Sequence, residues 1–314
     1  MTFDEQLEKE RILITGAAGQ VAFPLARHLA AHNEVYGLGR FGKPQDRARL
    51  ERHGVRCIVA DLAQDSFAGL PDDFTYVLNF ASTRTGDFDI DLQANAEGVG
   101  RLLYHCRRAK AWLHCSSSAV YAAAGNRPLK ETAPLGDSRR NFLPTYSLGK
   151  IAAEVMVRFA ARQWGVPTTI ARLNVAYGNN GGLPAHHLEA ILAGTPIQLI
   201  PEKPNLRSLM HEDDYIAQVP KLLAAASVPA TIVNWGGSEP VSIEDWCTYL
   251  GDLVGRKPTF FYTDAAFGGA VLDPARMHQL VGRTMMDWKD GMRRMVEARH
   301  PEVPLRAPSG QGVP

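Results

Sequence analysis

The 314-residue chain is short of long apolar runs, of charge of one sign and of paired cysteines. No stretch stays apolar for the roughly 18 residues that a membrane-crossing helix needs, so the expectation is no membrane association. Its 34 Lys and Arg against 33 Asp and Glu give a formal net charge of +1 with no basic block, which argues against a nucleic-acid partner. The four cysteines, Cys57, Cys106, Cys115 and Cys247, show no Cys-x-x-Cys spacing. They read as small core residues of a reduced protein, with no metal expected. The opening "MTFDEQLEKE" is acidic and polar, unlike a signal peptide, and the expected location is the cytoplasm. Repeats and low-complexity segments are also missing.

What the chain does have is core-forming residue, 45 % hydrophobic against 21 % charged, arranged in short apolar runs that alternate with helical patterns. "RILITG" precedes "QVAFPLARHLAAH", "YVLNFAS" precedes "DLQANAEGVGRLLYHCRRAK", and "AWLHCSSS" precedes "YSLGKIAAEVMVRFAARQWG". Such alternation predicts a Rossmann-type, doubly wound parallel α/β sheet with a smaller C-terminal lobe. Residues 1–178 with about 212–239 are assigned to the sheet domain, 179–211 with 240–300 to a substrate-binding lobe, and 301–314 to a flexible tail.

In "LITGAAGQVA", Gly16 and Gly19 sit between the first strand and first helix, where backbone N–H groups of residues such as Gln20 and Val21 can approach a diphosphate. Ala22 takes the place of a third glycine. The second strand ends "VYGLGRFGK", with Gly39 where an NAD-binding carboxylate would stand and Arg40 next to it. A guanidinium pairs with a 2′-phosphate where a carboxylate repels it, which tilts the cofactor from NAD towards NADP. Arg40 as a solvated loop residue stacking on adenine is the alternative.

Ser116, Ser117 and Ser118 end a later strand, and Tyr146 and Lys150 stand one turn apart on the next helix. A phenol titrates near ~10, too high for a base at neutral pH, and a neighbouring ammonium favours its ionised form. The three side chains would then share a proton exchange at a substrate oxygen, with Ser117 hydrogen-bonding that oxygen. A half-buried tyrosine beside a solvated lysine is the competing interpretation, and the shared strand-end setting argues against it.

Taken together, these segments resemble the extended short-chain dehydrogenase/reductases, the NAD-dependent epimerase/dehydratase type, over about residues 11–295. "TGAAGQVA" is similar to that group's cofactor turn, "ADL" (Asp61, Leu62) to its adenine-side strand end, and "NFAS" (Phe80, Ala81, Ser82) to the strand beneath the cofactor. Asn95 matches an asparagine of the following helix, and "SSSAVY" makes Ser117 the catalytic hydroxyl, beside Tyr146 and Lys150 of "YSLGK". "RSLMHEDDYI" and "VNWGGSEPVSI" match later segments. The resemblance implies hydride transfer at a secondary alcohol or ketone, often on a nucleotide sugar, and a small-molecule substrate as partner.

Departures matter too. Ser118-Ala119 replaces the acidic pair of the 4,6-dehydratases, Val175 replaces an asparagine of many sugar-nucleotide enzymes, and "AAFGGAVLDPARM" carries no late R-x-G-D. Arg207 matches a phosphate-side arginine, with a structural salt bridge to Asp213 or Asp214 as an open alternative. Ser118, Val175, His186 and Arg207 are the substrate-side candidates, and Asn174 is placed beside the nicotinamide. Of His186 and His187 one is expected in the cleft and the other in solvent. His211, Asp213 and Asp214 read as structural rather than metal-binding. Phe260, Phe261, Tyr262 and Phe267 form lobe core or a substrate wall. The pair of helices at 92–110 and 146–164 is apolar on more than one face, and the resemblance implies a homodimer there, with burial inside the monomer as the alternative. Simple dehydrogenase or reductase chemistry competes with nucleotide-sugar 4-epimerisation on tightly held NAD, and a non-catalytic dinucleotide sensor is the reading from a different class.

Overall fold

The computed structural model describes residues 7–64, 67, 69–138, 143–266 and 268–306. Its central sheet comprises β1 (Arg11–Thr15), β2 (Glu34–Gly39), β3 (Arg56–Val59), β4 (Tyr76–Asn79), β5 (Ala111–Ser117), β6 (Thr168–Leu173) and β7 (Thr231–Trp235). The order across the sheet is β7-β6-β5-β4-β1-β2-β3, and every neighbouring pair is parallel. A parallel sheet must be covered on both faces, and the strands show it: Ile12, Leu13 and Ile14 of β1 are wholly buried.

The helices are α1 (Ala22–Leu29), α2 (Pro44–Glu51), α3 (Phe88–Leu92), α4 (Gly98–His105), α5 (Tyr146–Trp164), α6 (Leu183–Ala193), α7 (Glu212–Ala224), α8 (Ile243–Val254), α9 (Ala275–Val281) and α10 (Trp288–Arg299). A π-helical turn, Gln93–Glu97, joins α3 to α4. On one face of the sheet Leu25 of α1, Leu50 of α2, Val219 of α7 and Met277 of α9 share a core. On the other, Leu102 of α4 and Val157 of α5 pack against Trp112 of β5.

The C-terminal lobe has a core of its own, built from Leu188 of α6, Trp246 and Leu250 of α8, and Met292 and Val296 of α10. Two-residue and three-residue strand pairs stitch it together, such as Ile197–Leu199 with Phe260–Tyr262. Sequence reasoning assigned all of 240–300 to this lobe, but α9 departs from that division. Met277 and Val281, one helical turn apart, bury in the core that Val219 of α7 and Trp235 of β7 also share, so the apolar face of α9 is covered from the sheet side. Of the aromatic set, Phe260 and Tyr262 pack on the lobe core and Phe261 is exposed, while Phe267 and the tail beyond residue 306 lie outside the described residues. Among the described residues, no helix is long and apolar enough to cross a membrane.

Candidate active site

At β1 the strand order reverses, with β2 and β4 leaving on opposite sides, and a crevice opens beyond the carboxyl ends of strands at such a point. A cleft of about 550 Å3 lies there. The glycine turn forms one wall. Gly16 has φ of +63°, and a Cβ at that position would come within 2.9 Å of the Ala81 Cα, so only glycine lets the turn approach β4 this closely. Phe80, Ala81 and Ser82 line the cleft beside it, as do Gln20, Val21 and Arg40.

A buried polar line holds this wall. The Thr15 hydroxyl donates to Asn79 Oδ1 at 2.6 Å and accepts from the backbone N–H groups of Phe80 and Ala81 at 3.1 and 3.0 Å. Asn79 Nδ2 continues to His114 Nδ1 at 2.8 Å. Burial first, and then the charge of Lys150, pushes His114 down to about 3, so it is neutral and serves as a fixed hydrogen-bonding group. Sequence reasoning did not single out Thr15 or His114. Their signal was a polar residue where a fully buried strand should be apolar.

The opposite wall carries the candidate reacting groups. Ser117, Tyr146, Lys150 and Asn174 all line the cleft. Tyr146 is the first residue of α5, so the helix start aims its phenol at the sheet edge, and Lys150 follows one turn later on the same face. The Lys150 ammonium, 6 % exposed, donates to the Cys115 carbonyl at 2.9 Å. That bond fixes the long side chain beneath the cleft and leaves its remaining donors free to face inward.

One more turn along α5 stands Glu154, whose carboxylate accepts from Ser116 at 2.5 Å and from Arg172 of β6 at 2.9 and 2.7 Å. Arg172 reaches on to the Tyr121 hydroxyl at 3.1 Å. Burial opposes the arginine's charge, but the Glu154 contacts hold its pKa above the ordinary value. Tyr146, Lys150 and Glu154 thus form one helical stripe whose last member is bolted to the neighbouring strand.

The loop after β4 is held by two side chains. Asn95 accepts from the Thr83 N–H and donates to the Thr83 carbonyl, both at 2.8 Å. Asp91 accepts from Thr85 and Gly86 backbone groups and from the Thr145 hydroxyl at 2.5 Å, tying the loop to the residue before Tyr146. Burial would raise the Asp91 pKa, but those hydrogen bonds outweigh it and hold it low. The loop carries Arg84, which lines the cleft with its guanidinium 5.8 Å from the Tyr146 ring centre. Sequence reasoning missed Arg84; its signal was a lone cation just past "NFAS".

Several candidates stand elsewhere. Asn95 does not line the cleft, since both ends of its amide are spent on Thr83. Leu62 is buried beneath Gly98, and Asp61 lies outside the lining, 4.0 Å from Arg40. None of the four substrate-side candidates lines this cleft. The Ser118 hydroxyl turns inward to accept from Asn174 at 3.1 Å. Val175 packs on the lobe core. His186 is exposed, and neither histidine reaches the cleft, because His187 stacks on Trp246 and accepts from its indole N–H at 3.0 Å. Arg207 is 2 % exposed and donates to the Leu206 carbonyl at 2.7 Å, and burial lowers it to about 10. Its proposed partners are engaged elsewhere: Asp213 pairs with Arg294 at 2.7 Å, and Asp214 accepts from the Met285 N–H at 2.6 Å. His211 caps α7 by accepting from the Asp213 N–H at 3.2 Å.

The model of the "NAD dependent epimerase/dehydratase family" matches residues 12–236. The chain is 23 % identical, over 94 % of its length, to the trifunctional UDP-glucose 4,6-dehydratase/UDP-4-keto-6-deoxy-D-glucose 3,5-epimerase/UDP-4-keto-L-rhamnose-reductase RHM2 of Arabidopsis thaliana, and spans 48 % of that protein. It is 26 % identical to a dTDP-glucose 4,6-dehydratase of Mycolicibacterium smegmatis, over 87 % of both chains. Among solved structures it resembles the UDP-glucuronic acid 4-epimerase of Bacillus cereus in complex with UDP-glucuronic acid and NAD, with a TM-score of 0.80 at 20 % identity, over 93 % of this chain and 99 % of that one.

Proposed function

This chain belongs to the NAD dependent epimerase/dehydratase family, and from that premise we propose that it transfers hydride at a secondary alcohol or ketone, with Ser117, Tyr146 and Lys150 as the reacting set. The observation that carries this reading is the meeting of those three side chains with the glycine turn in one cleft.

The cleft suits a dinucleotide. Gly16 and Gly19 leave backbone where side chains would stand, and a Cβ on Gly19 would sit 3.0 Å from the Gly16 carbonyl. The backbone of Gln20 and Val21 would receive the diphosphate at the start of α1. A nicotinamide bound there supplies hydride exchange. Tyr146 passes a proton to or from the substrate oxygen, Ser117 donates a hydrogen bond to it, and Lys150, anchored on Cys115, offers its free donors to a ribose hydroxyl and the phenol. Asn174 lines the same end of the cleft. Arg40, 61 % exposed at the other end, is the group that would read a 2′-phosphate, and on that basis NADP is the preferred dinucleotide.

Nucleotide-sugar 4-epimerisation on a retained NAD is the second reading, favoured by the relatives' substrates and by the fold shared with the Bacillus cereus epimerase. Arg207, buried in the lobe, is the candidate for the sugar nucleotide's phosphate. The exposed Tyr104, Val155 and Phe159 of α4 and α5 form the face on which two copies would pair as a homodimer, readable by light scattering. Four free cysteines, three of them buried, suit a reducing compartment such as the cytoplasm.

The test is a turnover panel of UDP-glucose, UDP-glucuronic acid, dTDP-glucose and simple ketones with NAD(H) and NADP(H), followed by nicotinamide absorbance and product chromatography. Turnover that needs added dinucleotide, faster with NADP(H), supports the first reading. Conversion of a UDP-hexose without added dinucleotide, by protein that purifies with NAD bound, assigns the second. Protein that binds neither dinucleotide overturns both.

A further inference from the structure

Helix α1 contains a defect of its own making. Phe23 N–H bonds the Gly19 carbonyl at 3.0 Å in the helical manner, and the next bond in that ladder should run from residue 24 to the Gln20 carbonyl. Residue 24 is proline, which has no N–H to give. The acceptor deprived of its partner therefore belongs to the very turn that faces the dinucleotide.

Its donor comes from a distant segment. Asn180 Nδ2 reaches the Gln20 carbonyl at 2.8 Å and lies 3.5 Å from the Gly19 carbonyl. With two carbonyl oxygens as neighbours, only the amide nitrogen of Asn180 fits that position. Asn180 sits at the tip of a tight hairpin in which Val175–Gly178 pairs antiparallel with Gly181–Gly182, and α6 of the lobe begins at the next residue. The contact is answered from the other side, because Gln20 Nε2 donates to the Ala176 carbonyl at 3.3 Å. The backbone N–H of Asn180 is held by Glu212 at 3.4 Å. The backbone of Gln20 is the part expected to meet the cofactor, and its side chain forms the other half of this clasp.

We propose that Asn180 is a positioning residue for the diphosphate cradle: it supplies the hydrogen bond that Pro24 removes, and so couples the glycine turn to the hairpin that leads into the lobe. In a trans peptide the N–H and C=O point in opposite directions. Holding the Gly19 and Gln20 carbonyls on the hairpin side therefore keeps the Gln20 and Val21 N–H groups turned the other way. By reciprocity, a dinucleotide that rigidifies the turn also steadies the hairpin and the start of α6.

The inference rests on the dinucleotide reading, and a double-mutant cycle in the full chain separates the two. Asn180→Ala weakens dinucleotide binding about tenfold, the loss of one half-buried hydrogen bond, while kcat stays within about twofold. In the Pro24→Ala background, where the helix regains its own N–H, the same Asn180→Ala change costs less than about twofold. An equal loss in both backgrounds, or none in either, overturns the clasp. If the unaltered protein binds no dinucleotide, the functional reading fails, and amide hydrogen exchange over residues 16–24 decides the clasp alone. Faster exchange in Asn180→Ala that Pro24→Ala suppresses supports it; exchange indifferent to both changes overturns it.

Discussion

The sheet crevice and the lobe are held in shape by different kinds of contact. Around the crevice, Thr15, Asn79, Asp91, Asn95, Glu154 and Arg172 are engaged in hydrogen bonds with named partners. The lobe core centres on apolar side chains, with Trp246, Leu250, Leu253, Met292 and Met295 at 0 % exposure, while buried polar groups such as His187, Asn205 and Arg207 are fewer and scattered around it. Satisfied polar networks fix angles and distances, whereas apolar cores tolerate reshaping at similar volume. The difference fits the proposed hydride transfer at the sheet crevice, where angles and distances have to be held closely.

The largest expected effects test whether each half depends on its own kind of contact. Glu154→Ala leaves Arg172 buried without its carboxylate and should cost about 3–5 kcal/mol, read as a drop in urea midpoint. Replacing Glu154 and Arg172 together with apolar residues of similar volume should cost much less. Trp246→Ala should cost about 3–5 kcal/mol through the cavity it leaves, yet keep dinucleotide affinity within about threefold, measured by titration. A large loss of affinity in Trp246→Ala would erase the distinction between the two regions.

Acid sensitivity sharpens it further. Burial is the main cause that lowers His114, His187 and His211, to about 3, 4 and 4 respectively. Below about pH 6.5 the unfolded chain protonates these residues while the folded chain does not. The unfolded state then binds more protons, so stability falls as pH drops from 6.5 towards 4, by up to about 1.4 kcal/mol per pH unit for each histidine. Glu212 and Asp214, raised by burial, act in the opposite sense, so the informative quantity is the change between proteins. His114→Asn should flatten the acid slope for the crevice and His187→Asn for the lobe, as read by calorimetry at several pH values. The smallest effect is expected at His186, exposed and outside the cleft, where alanine should shift stability by less than about 0.5 kcal/mol and leave turnover unchanged.

The sheet was legible in the sequence because buried parallel strands and their covering helices repeat one strong pattern, from "RILITG" to "AWLHCSSS". The glycine turn, Ser117, Tyr146 and Lys150 were legible because their positions at strand ends and helix starts follow from that pattern. What a motif cannot give is the direction of a side chain. Asn95 and Ser118 stand at expected places in the chain, but their hydrogen bonds to Thr83 and Asn174 turn them away from the cleft. The lobe was less legible because strands such as Ile197–Leu199 and Phe260–Tyr262 are too short to show a period and pair across long separations. The π turn at Gln93–Glu97 and the seating of α9 on the sheet have no local signature either.

Replacing Tyr146 with phenylalanine is the most direct test of the whole account, because it removes one oxygen from the cleft and nothing else. Turnover should fall at least about 100-fold while dinucleotide affinity stays within about threefold of the unaltered protein. Undiminished turnover, or a dinucleotide that binds equally well with no substrate converted by either protein, would contradict an enzyme built on that phenol and point to a sensor instead.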